Sequence, residues 1–332
     1  MTTATAATPG RAAGRPAHVD ALRGFALLGI LIVNVGYLAS TYHGTGLEDP
    51  GFASPLDNAV RWFVAVFFEA KFFLLFSFLF GYSFTLQLSS AGRHGVRFAP
   101  RFLRRLAGLF VLGTLHAVLL FPGDILTTYA ILGLILLAAR RLRPRTAVRT
   151  AVTLFVLTAG RQQALGDVAR HHRTLGRLQW AGFMLGLLGG VVYAHASLRH
   201  PGGAYQILAL GIDVITAPLL AAAYAATVLR LACDRHGDRL IAVLGPAGRM
   251  TLTNYLTQSL VCSLLFTGYG AALVGDVPPL GVLAIALVLF TAQALASRRW
   301  MRRYRYGPLE WLLRAWTALT WPPLRRGENA PR

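Results

Sequence analysis

Eight apolar runs, divided by short connections that collect almost all of the arginines, decide which solvent this chain folds in. The runs fall at 21–40, 62–88, 102–120, 124–139, 178–198, 207–231, 250–268 and 280–297. A helix needs about 20 apolar residues to cross the roughly 30 Å hydrocarbon core of a bilayer. Hydrophobic residues make up 55% of the 332, against 14% charged, an imbalance outside the range of soluble domains of this length. The sequence therefore predicts an all-α fold, a polytopic integral membrane helical bundle of about eight transmembrane helices.

Charge sets the orientation. With the N-terminus inside, segments 1–23, 89–105, 140–177, 230–249 and 298–332 hold 30 of the 33 basic residues. Outer connections then hold only Arg61 and Arg199, and Lys71 alone lies within a span. Basic residues favour the cytoplasmic side, so both termini are expected there, in a bacterial inner membrane. The net charge of +20 alone would raise the question of nucleic acid. Its dispersal among short connections, with no basic face or aromatic RNA-binding motif, excludes that partner and leaves membrane lipids.

Residues 1–17 are polar and read as a disordered cytoplasmic extension, and the first span as a signal anchor that stays attached. Residues 18–300 form the membrane domain, and 301–332 a basic, tryptophan-containing tail lying at the inner headgroups. Thr150–Gly160 is apolar but rises only about 16 Å as a helix, so it is expected to be interfacial or re-entrant. Cys233 and Cys262 have no metal-ligand or disulfide spacing and read as packing thiols. Gly182 and Gly186 give a small-xxx-small packing face.

Ionisable groups at lipid depth are costly and mark function by default. Lys71 is the only lysine of the chain. Glu69, two residues earlier, would point about 200° away on a helix, so the partner of Lys71 must be an acid on another helix. Asp213, in the sixth span before Pro218, is a candidate for that role or for a polar cavity lining. His116 ends the third span, and Phe121-Pro122-Gly123-Asp124 turns the chain back. A tight hairpin brings His116 and Asp124 together as an imidazole–carboxylate base, although Asp124 also suits a plain helix N-cap. His43, in an outer connection, is expected to be solvated. At the inner side Asp20 and Arg23, three apart, share a helix face. Thr251, Asn254, Tyr255 and Gln258 form one polar stripe, which must face the protein interior or a water-filled cavity. Polar groups thus collect near both surfaces, as an enzyme passing a group across the membrane requires, and as a transporter requires. Against transport, no inverted repeat or matched pair of glycine-broken spans is visible.

Several blocks resemble the YeiB-like bacterial membrane proteins. They are Val19-Asp20-Ala21-Leu22-Arg23-Gly24-Phe25 with the run to Asn34, Lys71 through Gly81, and His116 with Gly123-Asp124-Ile125-Leu126 and Tyr129. Gly248-Arg249-Met250 through Asn254-Tyr255, Gln258 and Ser259, then Gly307-Pro308-Leu309-Glu310-Trp311, resemble the family's C-terminal domain of unknown function, number 418, expected over about 160–320. That family is similar to the transmembrane acyltransferase group, including acyltransferase-3 proteins. The resemblance implies an acyl-CoA donor in the cytoplasm and a glycan or lipid acceptor in the cell envelope. It also implies Asp20, Arg23 and Arg249 on the donor side, His116 backed by Asp124 as base, and Lys71 steadying an oxyanion. Where acyltransferase-3 proteins often carry a histidine in the first span, this chain has Asn34. The resemblance also implies a longer stretch between spans four and five in related chains than this one carries. A permease or a non-catalytic scaffold are the competing expectations.

Overall fold

The computed structural model describes residues 17–45, 47, 49–93, 98–139, 172–200, 203–234 and 237–327. The expectations for the N-terminal extension before residue 17 and for Thr150–Gly160 lie outside the described residues. The described residues form helices, with no strand beyond one isolated antiparallel bridge between Tyr304 and Arg325. In chain order they are α1 Ala17–Ala39, α2 Pro55–Phe67, α3 Lys71–Arg93, α4 Phe98–Leu119, α5 Leu126–Ala139 and α6 His172–Arg199. Then follow α7 Ala204–Cys233, α8 Gly237–Arg249, α9 Thr251–Phe266, α10 Pro279–Arg303 and α11 Pro308–Ala318.

By length and composition six segments can cross a membrane: Ala17–Ala39, Pro55–Ala91, Phe98–Leu119, Leu175–Arg199, Ala204–Cys233 and Pro279–Arg303. The two other runs make shorter helices, 14 residues in α5 and 16 in α9, which rise only about 21 and 24 Å. The second run departs most from expectation. Its helix starts outside the run, at Pro55, where Ser54 and Asp57 form a reciprocal capping box, and it breaks at Phe68-Glu69-Ala70. Ala70 takes a left-handed φ of 62°, which no helix interior accommodates.

α1 is central, buried along nearly its whole length, with α3, α7, α8, α9 and α10 around it. Its approach to α8 depends on glycine. A Cβ on Gly248 would run into the carbonyl of Asp20, and one on Gly24 into that of Leu244. The expected small-residue face of α6 is present, with Gly182 set against Leu219 and Ala223 and Gly186 against Leu220, all on α7. Pro218 lies inside α7, which runs through it. Cys262 is buried as a packing thiol should be, whereas Cys233, at the C-terminal end of α7, is exposed.

The tail folds back as a clasp. The Trp311 indole donates to the Pro322 carbonyl (2.8 Å) and its ring meets Trp321, while α11 packs on α4 through Trp316 donating to the Arg104 carbonyl (2.8 Å).

Candidate active site

The turn between α4 and α5 assembles the first cluster. Leu120 and Phe121 amides close α4 on the His116 carbonyl, and the chain reverses through Pro122 and Gly123. This brings His116 Nδ1 to 2.9 Å from Asp124 Oδ1. The other oxygen of Asp124 accepts from the Thr127 amide and hydroxyl, both at 2.7 Å, and so caps α5. The two expected uses of Asp124 are therefore realised together. His116 is 2% exposed; the contact of Nδ1 with Asp124 is close but not aligned as a hydrogen bond, and Nε2 has no hydrogen-bond partner among the described residues. The imidazole ring lies against Tyr255 (centroids 5.0 Å apart) and near Phe121. The Tyr255 hydroxyl sits by the backbone of Ile125 without a hydrogen bond of good geometry.

Tyr255 is also one wall of a small pocket between α1 and α9. Leu31, Asn34 and Leu38 line it from α1, and Tyr255, Gln258, Ser259 and Cys262 from α9. Its polar groups are neutral carboxamides and hydroxyls. The expected stripe on α9 faces inward. The Asn254 amide donates to the Ala247 carbonyl (3.2 Å) and to Ser297 Oγ (3.0 Å), and the Gln258 amide to Gln293 Oε1 (2.8 Å). Thr251 instead bonds back to the Gly248 carbonyl (2.6 Å). Ser297 and Gln293, both on α10, are partners that sequence reading had not singled out. Tyr129, from α5, shares a hydrogen bond with Ser77 of α3 (3.1 Å) and stacks on Phe76 and Phe80.

A second cluster forms at the break between α2 and α3. Lys71 is 0% exposed, with Nζ 3.0 Å from Asp213 Oδ1, a 3.3 Å bond to the Ala65 carbonyl, and the Tyr193 ring 5.3 Å away. The acid on another helix is thus Asp213. Glu69 belongs to the same cluster, hydrogen-bonded to Tyr193 and close enough to Lys71 and Asp213 to interact with both charges, and its Oε1 lies 3.5 Å from His43 Nε2. His43 is not a solvated loop residue as expected. It folds inward, packs edge-on against Tyr37 (4.5 Å), and is held neutral, with burial and then the Arg61 charge pushing its pKa down to about 4. No hydrogen bond, ion pair or ring contact joins Lys71 to His116 among the described residues.

The cluster around Asp20 and Arg23 is separate again. Arg23 Nη1 bonds Asp20 Oδ1 at 3.1 Å, and Nη2 bonds Ser83 Oγ of α3 at 2.6 Å. Arg249 donates to the Arg305 carbonyl at 3.2 Å, on the exposed side of α8. Glu310 was visible in the sequence only as part of a resemblance. Its Oε1 accepts from the Leu252 and Thr253 amides (2.7 and 3.1 Å) and its Oε2 from the Thr253 hydroxyl (2.6 Å). A carboxylate from α11 thereby caps α9, the helix that carries the polar stripe.

Comparison with known proteins places these residues in a family. A family model described as "Protein of unknown function (DUF418)" matches residues 159–320. The chain is 32% identical to the uncharacterized protein YxaH of Bacillus subtilis (strain 168), over 93% of this chain and 95% of that protein. It belongs to the YeiB/YxaH family. Within that family it is 31% identical to an uncharacterized 39.9 kDa protein in the amylase 3′ region of Bacillus acidopullulyticus, over 90% and 92% of the two chains. It is 26% identical to the uncharacterized protein YeiB of Escherichia coli (strain K12), over 92% and 96%. The YxaH alignment runs over 383 positions, more than the 332 residues here, so that family member carries residues this one lacks. No solved structure matches the chain.

Proposed function

We propose that this family member is a membrane-bound acyltransferase of the bacterial inner membrane. In this reading it carries an acyl group from a cytoplasmic thioester such as acyl-CoA to a hydroxyl or amine of a cell-envelope glycan or lipid. One observation carries the reading: a buried imidazole whose Nδ1 lies 2.9 Å from a carboxylate oxygen while Nε2 has no hydrogen-bond or ion-pair partner among the described residues. Nε2 accepts the proton of the acceptor as its heteroatom attacks the thioester carbonyl, the C–S bond breaks, and the imidazolium returns the proton to the leaving thiolate. Asp124 fixes the ring and stabilises the imidazolium. Asp20, Arg23 and Arg249 serve the donor side, in a topology of eight crossings with both termini in the cytoplasm. The pocket bounded by Asn34, Tyr255, Gln258 and Ser259 serves the acceptor. Lys71, tied to Asp213 away from His116, holds the broken span rather than an oxyanion.

The test is binding and turnover of acetyl-CoA and longer acyl-CoAs by the detergent-purified protein, with envelope glycolipid extract as acceptor. His116→Ala is expected to keep donor binding and lose transfer, and Arg23→Ala to lose donor binding. Unchanged transfer in His116→Ala removes the base from the mechanism.

A second reading rests on the break at Phe68-Glu69-Ala70 with a buried ion pair beside it, since interrupted spans line many transport sites. If acyl-CoA does not bind and the protein in liposomes moves a small anion or lipid in a Lys71-dependent way, that reading replaces the first.

A further inference from the structure

The segment from Arg298 to Arg326 contains eight arginines and one acid, Glu310. That acid is buried on the N-terminus of α9 and is not available to balance them. The isolated bridge then brings like charges together. Arg305 N donates to the Leu324 carbonyl (2.8 Å) and Arg326 N to the Arg303 carbonyl (3.0 Å), which sets Arg302-Arg303 beside Arg325-Arg326. All four side chains are exposed, and none forms an ion pair among the described residues. Next to them Trp316 and Trp321 are 52% and 71% exposed, with Leu312 and Leu319 bare as well. The tryptophans are not loose: Trp316 is fixed to α4, and Trp321 to Trp311.

Four arginines carried by adjoining backbone segments repel one another unless anions gather around them. Flanking indoles and leucines belong at the depth where headgroup meets acyl chain. We propose that the clasp formed by the end of α10, α11 and the returning segment to Arg326 is a recognition surface for anionic phospholipid headgroups of the adjoining leaflet. It reads the phosphate and the net negative charge of that leaflet, not lipid in general. Because the same α11 carries Glu310 to α9, lipid engagement and the seating of the polar stripe share one rigid element. The surface stands on the clasp geometry and not on the acyltransferase reading.

The probe is the full-length protein in nanodiscs or mixed micelles that contain phosphatidylglycerol and phosphatidylcholine, with bound lipid counted by native mass spectrometry. Wild-type protein should retain phosphatidylglycerol preferentially. A charge-removed variant, Arg302→Gln/Arg303→Gln/Arg325→Gln/Arg326→Gln, should retain at least roughly tenfold less, given the contribution of each basic residue near an anionic surface. Arg61→Gln/Arg199→Gln, which removes two arginines elsewhere, should retain as much as wild type. Since the four arginines are exposed and their backbone bonds do not need the side chains, the variant should keep its melting temperature. Equal retention of the two lipids overturns the proposal, as does unchanged phosphatidylglycerol in a folded quadruple variant. Saturable binding of adenosine 3′,5′-bisphosphate to these arginines without lipid selectivity would assign them to a soluble nucleotide, and would also overturn it.

Discussion

Asp124 sets one carboxylate oxygen 2.9 Å from His116 Nδ1 and caps α5 with the other, so one side chain serves both the imidazole and the turn that presents it. The expected consequence is that the two roles separate in variants. Asp124→Asn should lower acyl transfer by about 10²- to 10⁴-fold, the range of general acid–base contributions. Its cost in stability should be only about 1 kcal/mol, typical of a weakened cap. Thr127→Val removes a hydroxyl bonded only to the capping oxygen and should leave transfer intact. Initial rates beside melting temperatures in detergent decide it. Equal rates in the two variants contradict an orienting role for Asp124.

The Lys71–Asp213 pair should behave as a unit. Breaking a buried pair from one side typically costs about 3–5 kcal/mol, because the remaining charge has no partner. Lys71→Met and Asp213→Leu should each be strongly destabilised, and the double variant should recover most of the loss. If Lys71→Arg is as active and stable as wild type, a requirement for a compact ammonium is excluded. Thermal unfolding in a fixed detergent gives the answer.

His43 gives a pH dependence with a definite sign. Its folded pKa lies at about 4, below the unfolded value of 6.5. Between those values the unfolded chain binds a proton that the folded chain does not. Stability from this group is therefore complete above pH 6.5 and is lost as pH falls toward 4, by an amount on the order of 3 kcal/mol. His43→Gln should flatten melting temperature against pH in that window. A wild-type curve with no slope there shows that the ring is hydrated.

Glu310 is the test of the tail. Burial pushes its carboxyl above the usual range, although the Thr253 hydroxyl and the amides of α9 favour the ionised form. Glu310→Ala should cost about 2–3 kcal/mol, the scale for losing hydrogen bonds to a charged group, and Glu310→Gln less. Hydrogen exchange is expected to rise first at the N-terminal turn of α9. An unchanged exchange pattern would mean that α9 needs no cap from α11.

Much of this arrangement was legible in the residues. The solvent, the helical class and the His116–Asp124 approach follow from run lengths and a short turn. Asp213 was correctly singled out as a possible partner of Lys71, but the helical argument that set Glu69 aside assumed a continuous span. The chain is not helical at Glu69, and the segment Phe-Phe-Glu-Ala-Lys-Phe-Phe contains neither glycine nor proline to announce a break. His43 was misread because a loop residue's burial depends on which residues lie beneath it, here Tyr37 and Glu69. The inward turn of the α9 stripe was predictable from spacing. Its partners Ser297 and Gln293 were not, because helix pairing is a tertiary choice. Glu310 likewise gains a role only after α11 folds back.

The Lys71–Asp213 contact also fixes an order of events during synthesis. The lysine leaves the ribosome 142 residues before the aspartate, an interval of roughly 7–30 s at ordinary elongation rates. Throughout that interval the second segment carries Lys71 with Glu69 beside it but without Asp213, and ionisable groups in that condition are costly at full depth. The burial of the second segment is therefore complete in energetic terms only when α7 brings Asp213 to it. Assembly around Lys71 is thereby tied to the emergence of residue 213 as well as to the order in which the helices are made.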